Sequence, residues 1–182
     1  MNRVFSITAP FRVPDGTWVS PFLNAKDSQS DLPFDLLDGF SLAAGMIDPN
    51  SCSAIHVMPF VTQVTFVRSG NLAVRMKGPD DTQPYILRLA AGQAVLTEPG
   101  VFFQLINEGA ERCEVLYIVS PAYVFEMSAE GAVLYDDAVV LDEGWEDLAV
   151  AGWRTAQSMA TAEQRADAMR RLSDIKRKKA TP

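Results

Sequence analysis

The chain has 182 residues, of which 48% are hydrophobic and 21% charged, a composition typical of one globular domain with a sizeable core. Its formal net charge of −7 disfavours nucleic acid and anionic membranes as partners, because both repel a negatively charged protein. The N-terminus lacks a signal-peptide pattern and no apolar run could span a bilayer, so we expect a cytoplasmic protein. Cys52 and Cys113 match no zinc or disulfide framework and are expected to be reduced, buried thiols.

The N-terminal part of the chain is expected to be extended. Strands are predicted near residues 3–8, 12–13, 17–22 and 40–47, on both sides of a proline- and aspartate-rich stretch at 27–38. We expect these strands to extend the sheets formed by the residues that follow them.

Short runs rich in Val, Ile, Phe and Tyr continue between residues 52 and 125, separated by turn signals that contain glycine, proline or asparagine. Strands are predicted at residues 53–58, 63–68, 72–77, 85–90, 94–97, 101–106 and 113–120. No helical period interrupts them. This spacing predicts an all-β barrel or sandwich.

The C-terminal part is expected to hold one extended segment at 132–141, a short helix near 145–153 and a basic helix at 165–179. Thr161 and Gln164 form a capping box before the basic helix, which we interpret as solvated, with an anionic partner or a subunit contact as alternatives. The acidic residues between 136 and 147 are likewise interpreted as solvated. We therefore expect one domain, with N-terminal strands over 1–50, a barrel core over 51–125 and an extension over 126–182.

Two sets of regularly spaced residues carry the most information. The first set is Asn50, His56, Met58, Gln63 and Gly70, and the second set is Gly92, Glu98, Gly100, Phe103 and Asn107. Their spacing resembles the two metal-binding motifs of the cupin superfamily, Gly-x5-His-x-His-x3,4-Glu-x6-Gly and Gly-x5-Pro-x-Gly-x2-His-x3-Asn. The resemblance implies a single-domain small cupin, an all-β double-stranded β-helix (jelly-roll barrel) with N-terminal extra strands and C-terminal helices.

The resemblance also implies a metal, because many cupins hold one with three histidines and a glutamate. Here Met58, Gln63 and Phe103 stand at three of those four positions, and only His56 is retained. A thioether and a neutral amide are poor ligands for most such ions, and a phenyl ring donates nothing. We therefore expect neither a bound metal nor another cofactor. A metal-dependent oxygenase or lyase with a reduced ligand set remains an alternative.

Strand alternation places His56, Met58, Gln63 and Phe103 together inside the barrel, because side chains two residues apart share a face. Such a pocket is apolar and suits a small organic ligand, which we expect Met58, Gln63, Phe103 and Tyr117 to bind. His56 is the best candidate for a general base.

A proton donor is suggested by fold resemblance alone. Sugar-nucleotide epimerases share the cupin fold, lack a metal and pair a histidine base with a tyrosine acid. Tyr85, Tyr117 or Tyr123 could supply that acid here, although their motif does not match this sequence residue by residue.

Each site residue also has a structural interpretation. His56 can be a buried histidine bonded to a backbone carbonyl, and Met58 with Phe103 can simply fill the core and leave no pocket. Buried Gln63 favours a functional interpretation, since its amide needs hydrogen-bond partners. Arg68, Arg75 and Arg88 are interpreted as surface residues, with anion binding inside the barrel as the alternative.

Three function classes follow. In the first, a metal-free cupin binds a small organic molecule in the barrel, and His56 moves a proton in an isomerisation, cyclisation or elimination. The second class is a ligand-binding or sensing module without catalysis, and the third is the metal-dependent enzyme. The expected partners are the small ligand and, from the edge-to-edge pairing frequent among cupins, a second copy in a homodimer.

Overall fold

The computed structural model of the chain describes residues 4–23, 39–127, 133–142 and 144–149. Within them the regular structure is almost entirely β, with fourteen strands and a 3-10 helix at Asp147–Ala149. The strands are β1 Phe11–Arg12, β2 Trp18–Leu23, β3 Ser41–Ile47, β4 Ser51–Cys52, β5 His56–Val57, β6 Thr62–Ser69, β7 Asn71–Lys77, β8 Tyr85–Ala90, β9 Ala94–Thr97, β10 Phe102–Asn107, β11 Cys113–Ser120, β12 Phe125–Met127, β13 Val133–Asp136 and β14 Val139–Val140.

Two antiparallel sheets make up most of this structure. Sheet A has the strand order β1-β2-β3-β11-β6-β9, and sheet B has the order β14-β5-β10-β7-β8, with β4 also paired to β10. Strands β12 and β13 form a small third sheet. The N-terminal strands β1, β2 and β3 extend sheet A beyond β11, so the prediction that they continue the same sheets is confirmed.

The hydrophobic core is built from alternate positions of the longer strands. Gln63, Thr65 and Val67 are the buried residues of β6, while the intervening residues are more exposed. Phe103 and Leu105 of β10 are at most 1% exposed and belong to the main core cluster. The period-two pattern read from the sequence therefore gives the inward face of these strands correctly.

The turn residues of the two motifs adopt the backbone conformation that their types favour. Gly70, Gly92 and Gly100 have φ values of 81°, 87° and 82°, and Asn50 has a φ of 49°. A left-handed backbone is easy for glycine and tolerated by asparagine. Asn50 therefore serves where the cupin motif has glycine, as expected from its residue type.

Three expectations from the sequence are wrong in detail. No strand forms over residues 4–8, which are exposed, and Thr8 reaches β2 only through its hydroxyl, which donates to the Pro21 carbonyl. The strand predicted at 53–58 is divided into β4 and β5, because the Ser53 side chain accepts the Leu105 N–H between them. Both cysteines are free thiols, but Cys52 is exposed rather than buried.

The C-terminal predictions are only partly covered by the described residues. Strands β13 and β14 lie within the extended segment predicted at 132–141. Of the helix predicted near 145–153, the structure describes the 3-10 turn Asp147–Ala149, and the basic helix at 165–179 lies outside the described residues. Among the described residues, no helix is long and apolar enough to cross a bilayer.

Strand β8 is an edge of sheet B and exposes apolar side chains. Tyr85, Ile86 and Leu87 are 43%, 48% and 41% exposed. An exposed edge strand has unpaired backbone groups that a second chain can complete. The homodimer expected from the sequence stays a prediction, and sedimentation analysis is the measurement that checks it.

Candidate functional site

A cavity of about 120 Å³ lies between the two sheets. Sheet A contributes residues of β1, β2, β3, β6 and β11 to its wall, and sheet B contributes residues of β5, β10 and β14. The turn at residues 13–17 and the segment around residues 123–138 complete the lining. The barrel interior is therefore not filled by side chains at this end, contrary to the alternative in which Met58 and Phe103 occupy all of it.

His56 lies in the cavity wall with a defined orientation. Its strand β5 runs between β10 and β14, where His56 pairs with Phe103 and Val140. The ring is 5% exposed, and Nδ1 lies 3.0 Å from the Ala54 carbonyl oxygen. Because a carbonyl only accepts, Nδ1 carries the proton of the neutral ring. Nε2 of the neutral imidazole therefore keeps a free lone pair.

Asp15 approaches the other ring nitrogen of His56. Its Oδ2 lies 3.7 Å from His56 Nε2, and its Oδ1 accepts bonds of 2.8 Å from the backbone N–H and hydroxyl of Thr17. The turn that carries Asp15 uses Gly16 at a φ of 90°, and its Asp15 carbonyl accepts the Ala54 N–H at 2.7 Å. The backbone N–H and carbonyl of one residue, Ala54, thus hold both members of the His56–Asp15 pair.

The Tyr117 hydroxyl is a buried polar group at the cavity without a hydrogen-bond partner among the described residues. The residue is 7% exposed, and its ring lies over Gly45, where any Cβ would overlap it. The nearby Thr17 hydroxyl already donates to Asp15. Burial, followed by the charge of Asp15, raises the pKa of Tyr117 above its ordinary value, and the nearby Thr17 side chain acts in the opposite direction. Tyr117 is therefore neutral and available to donate to a ligand.

Replacing Tyr117 by phenylalanine should stabilise the folded protein by about 1 kcal/mol, since a buried hydroxyl without a partner loses its bonds to water on folding. Thr97→Val is the matched control, because Thr97 has the other described buried hydroxyl without a partner and lies outside the cavity lining. Urea unfolding should show a similar gain for both variants. A loss of stability in Tyr117→Phe would contradict the assignment of an unpaired hydroxyl.

A second carboxylate, Asp136, faces the cavity beside Tyr123. The Tyr123 hydroxyl and the Ala138 N–H both donate to Asp136 Oδ1, the latter over 3.0 Å. Burial is the main cause that raises the pKa of Asp136 to about 6, with contributions from the charges of Asp137 and Asp15, while the two hydrogen bonds act to lower it. Burial and the Asp136 charge also raise the pKa of Tyr123.

The acidic residues near the C-terminal segment are thus not all solvated, and that interpretation is wrong for two of them. Asp136 is half-buried, and Asp137 is 1% exposed and accepts the Val124 N–H at 2.7 Å. Asp142 and Asp147 are exposed as expected. The difference arises because the turn between β13 and β14 folds against the cavity, which the sequence pattern alone does not reveal.

Four of the five predicted site residues line the cavity, and the fifth, Phe103, lies in the core behind His56. Met58, Gln63 and Tyr117 line the cavity with His56, and the Gln63 amide donates to Thr65 Oγ1 at 3.0 Å. Phe103 does not line it. The Phe103 ring lies with its centroid 3.9 Å from that of the imidazole, so it supports His56 from the core.

Two of the three tyrosines considered as proton donors, Tyr117 and Tyr123, line the cavity. Tyr85 lies on edge strand β8 and is 43% exposed. Asp15 and Asp136 are the site residues that the sequence analysis missed. The turn signal at residues 14–16 was readable, but nothing in the sequence indicated that this turn approaches His56.

The residues at the four positions that match the metal ligands of the cupin motifs do not fit a tightly held transition metal. Met58 offers a thioether and Gln63 a neutral amide, and the ring of Phe103 occupies the space beside the imidazole, so His56 Nε2 is the one strong donor among the four. A phenyl ring offers no donor, and a neutral amide is a weak one. Among the described residues, no group of three or more His, Cys, Asp or Glu side chains is arranged to hold a metal.

The strand arginines are surface residues, as the sequence analysis favoured. Arg75 lies over the ring of Trp145, with its Cζ 4.9 Å from the centroid, and Arg88 pairs with Glu108 at 2.7 Å. Arg68 is exposed. None of the three lines the cavity, so they offer no site for an anion inside the barrel.

Comparison with solved structures places this architecture among known ones. An oxalate decarboxylase from Lactobacillus farciminis, solved as a formate complex, matches with a TM-score of 0.55 at 15% identity over 79% of this chain and 36% of that chain. The CENP-C cupin domain of Drosophila melanogaster matches with a TM-score of 0.50 at 12% identity, over 62% of this chain and 70% of that chain. Peruvianin-I, a cysteine peptidase from Thevetia peruviana latex, matches with a TM-score of 0.51 at 17% identity, over 63% of this chain and 68% of that chain.

Sequence comparison adds no relative to these structures. No family model matches the chain, and no curated protein sequence matches it. At identities of 12% to 17%, the three structural similarities show a shared fold and leave the chemistry to the residues of the site.

Proposed function

We propose that this chain, which has the cupin fold, binds a small organic molecule in its cavity and catalyses proton transfer on it. The observation that carries the proposal is the pairing of a base with an unused donor: His56 Nε2 and the Tyr117 hydroxyl belong to the same cavity. A proton acceptor and a hydrogen-bond donor that meet at one ligand are the minimum required to form an enol or enolate.

The reaction begins with removal of a proton from carbon. His56 Nε2 takes the proton from a carbon next to a carbonyl group, and the electron pair moves onto the carbonyl oxygen. The Tyr117 hydroxyl donates to that oxygen as its negative charge develops. The imidazolium formed on His56 is stabilised by Asp15 Oδ2, 3.7 Å away, and by the Ala54 carbonyl. Return of the proton to a conjugated carbon completes an isomerisation, whereas return to the same carbon regenerates the substrate and is detected only as hydrogen exchange.

The two tyrosines of the cavity, Tyr117 and Tyr123, are poorly suited to return the proton. Burial raises the pKa values of Tyr117 and Tyr123, and Tyr123 donates its hydroxyl proton to Asp136. The proposed mechanism therefore uses His56 both as base and as acid, which restricts the chemistry to transfers on one face of the ligand or between neighbouring atoms. The same raised pKa values support the second candidate function, ligand binding without turnover.

Three cyclic ketones of similar shape test the proposal: neutral 4-isopropylcyclohexanone, cationic 4-(dimethylamino)cyclohexanone and anionic 4-oxocyclohexanecarboxylate. Binding in the cavity should shift the NMR signal of the Met58 methyl group, which lines it, and leave that of Met76, a core residue away from the lining. In D₂O the protein should accelerate deuterium incorporation beside the carbonyl of a bound ketone.

The outcomes separate the function classes. A shifted Met58 signal with accelerated exchange supports proton-transfer catalysis. A shifted Met58 signal without faster exchange contradicts catalysis and favours the binding module. If none of the three ketones shifts Met58, the proposal that this cavity binds such molecules is wrong.

A further inference from the structure

Among the described residues, the side chains of Asp and Glu type in the cavity lining are not balanced by lysine or arginine. Asp15 and Asp136 are its acidic lining residues, and among the described residues no lysine or arginine lines it. The Asp15 side chain is 13% exposed, and Asp136 is half-buried. Because such a site has a lower effective dielectric than water, two carboxylates there disfavour an anionic ligand and favour a cation.

The hydrogen bonds that hold each carboxylate to the described residues are made through Oδ1. Oδ1 of Asp15 accepts from Thr17, and Oδ1 of Asp136 accepts from Tyr123 and Ala138. Oδ2 of Asp15 has its recorded contact with His56 Nε2 at 3.7 Å, longer than a hydrogen bond. A ligand N–H group can therefore be accepted without breaking the bonds that fix these side chains.

Aromatic rings stand beside the carboxylates. Phe11 and Phe125 both line the cavity, with ring centroids 5.9 Å apart and planes inclined by 31°. The ring of Tyr123 lines the same cavity. Aromatic faces attract alkylated ammonium groups through cation–π interactions, which strengthen when the site is dry.

The Tyr117 hydroxyl supplies an independent indication of a ligand, because it is buried at the cavity without a hydrogen-bond partner in the part of the chain that the structure describes. As a neutral phenol it donates to an acceptor oxygen. A carboxylate on the ligand would also accept this bond, but it would then lie near Asp15, whose charge already acts on Tyr117. A carbonyl or hydroxyl oxygen fits without this repulsion.

We propose that the cavity selects an organic ammonium compound with a carbonyl or hydroxyl oxygen, binding the ammonium at Asp15 and Asp136 and the oxygen at Tyr117. This inference rests on the proposed function, since it assigns the ligand class of the same cavity.

The three ketones measure this selectivity, because they differ at one position in charge. Titrations followed on the Met58 methyl signal should give the cationic ketone an affinity about tenfold or more above that of the neutral one, as expected for hydrogen bonds to a charged group. The carboxylate should bind most weakly. Asp136→Asn should reduce the affinity of the cation about tenfold and leave that of the neutral ketone within about threefold.

Asp142→Asn is the control variant, because it removes an exposed charge from the same acidic run and should leave both affinities unchanged. Unchanged binding of the neutral ketone shows that Asp136→Asn has an intact cavity. Equal or tighter binding of the neutral or anionic ketone would overturn the ammonium assignment. If the neutral or anionic ketone also shifted the Met58 signal and exchanged deuterium, the proposed function would stand without the ammonium assignment. If none of the three ketones bound, both the proposed function and the ammonium assignment would be overturned.

Discussion

Replacing His56 by glutamine should lower the rate of deuterium exchange into a bound ketone by about 10²- to 10⁴-fold, the usual contribution of a general base. Glutamine is uncharged, polar and of comparable size, so it can fill the space next to Phe103, but it cannot take up a proton at neutral pH. The affinity for the ketone should change little, because the cavity wall is otherwise preserved. Exchange is followed by proton NMR, and binding by the Met58 methyl signal.

Asp15→Asn provides the graded comparison for this prediction. The base is then intact, but the imidazolium loses the carboxylate that lies 3.7 Å from Nε2. Exchange should fall by about tenfold, less than in His56→Gln, because only the charged intermediate is affected. Wild-type exchange in His56→Gln would show that another group removes the proton. Equal loss in both variants would show that Asp15 is also needed to orient the ring.

Replacing Asp136 by asparagine should raise the free energy of unfolding by about 2 kcal/mol at pH 8 and by almost nothing at pH 4. The pKa of Asp136 is about 6 in the folded protein, against 3.8 for the free side chain. Between pH 3.8 and about pH 6, Asp136 binds more protons in the folded state than in the unfolded state, so the free energy of unfolding falls as the pH rises. The full shift corresponds to about 3 kcal/mol, reduced here because the side chain is half-buried.

Asparagine keeps an oxygen that accepts from Tyr123 and Ala138, so Asp136→Asn removes the charge without removing the bonds that hold the side chain. Urea unfolding at pH 4, 6 and 8 measures the effect, with Asp142→Asn as an exposed control of the same charge change. A gain in stability that is the same at all three pH values would show that ionisation of Asp136 does not cause it.

The strand positions were largely predictable because local patterns control them. Left-handed turns at Asn50, Gly70, Gly92 and Gly100 require residue types that tolerate positive φ, and these residues bound the strands. Alternation then assigns Gln63 to the inward face of β6 and Leu105 to that of β10. Both signals depend on neighbours in sequence, so no tertiary information is needed to read them.

The candidate site was predictable only in part. His56, Met58 and Gln63 were identified from motif spacing, and all three line the cavity. Phe103 was expected to contact a ligand, whereas it lies behind His56, because a large ring at that position fills the core against the imidazole. Chain spacing gives the face of a strand but not whether its side chain reaches open space.

By itself, the sequence determined an all-β chain, its turns, the inward strand faces and the residue types at the cupin ligand positions, since residue type and spacing carry each of these. Only the tertiary structure decided that Asp15 and Asp136 meet His56 and Tyr117 at one cavity. These residues lie far apart in the chain, and backbone contacts such as the Ala54 N–H to the Asp15 carbonyl bring them together. Such contacts are made by groups common to every residue, so the sequence has no local pattern that predicts them.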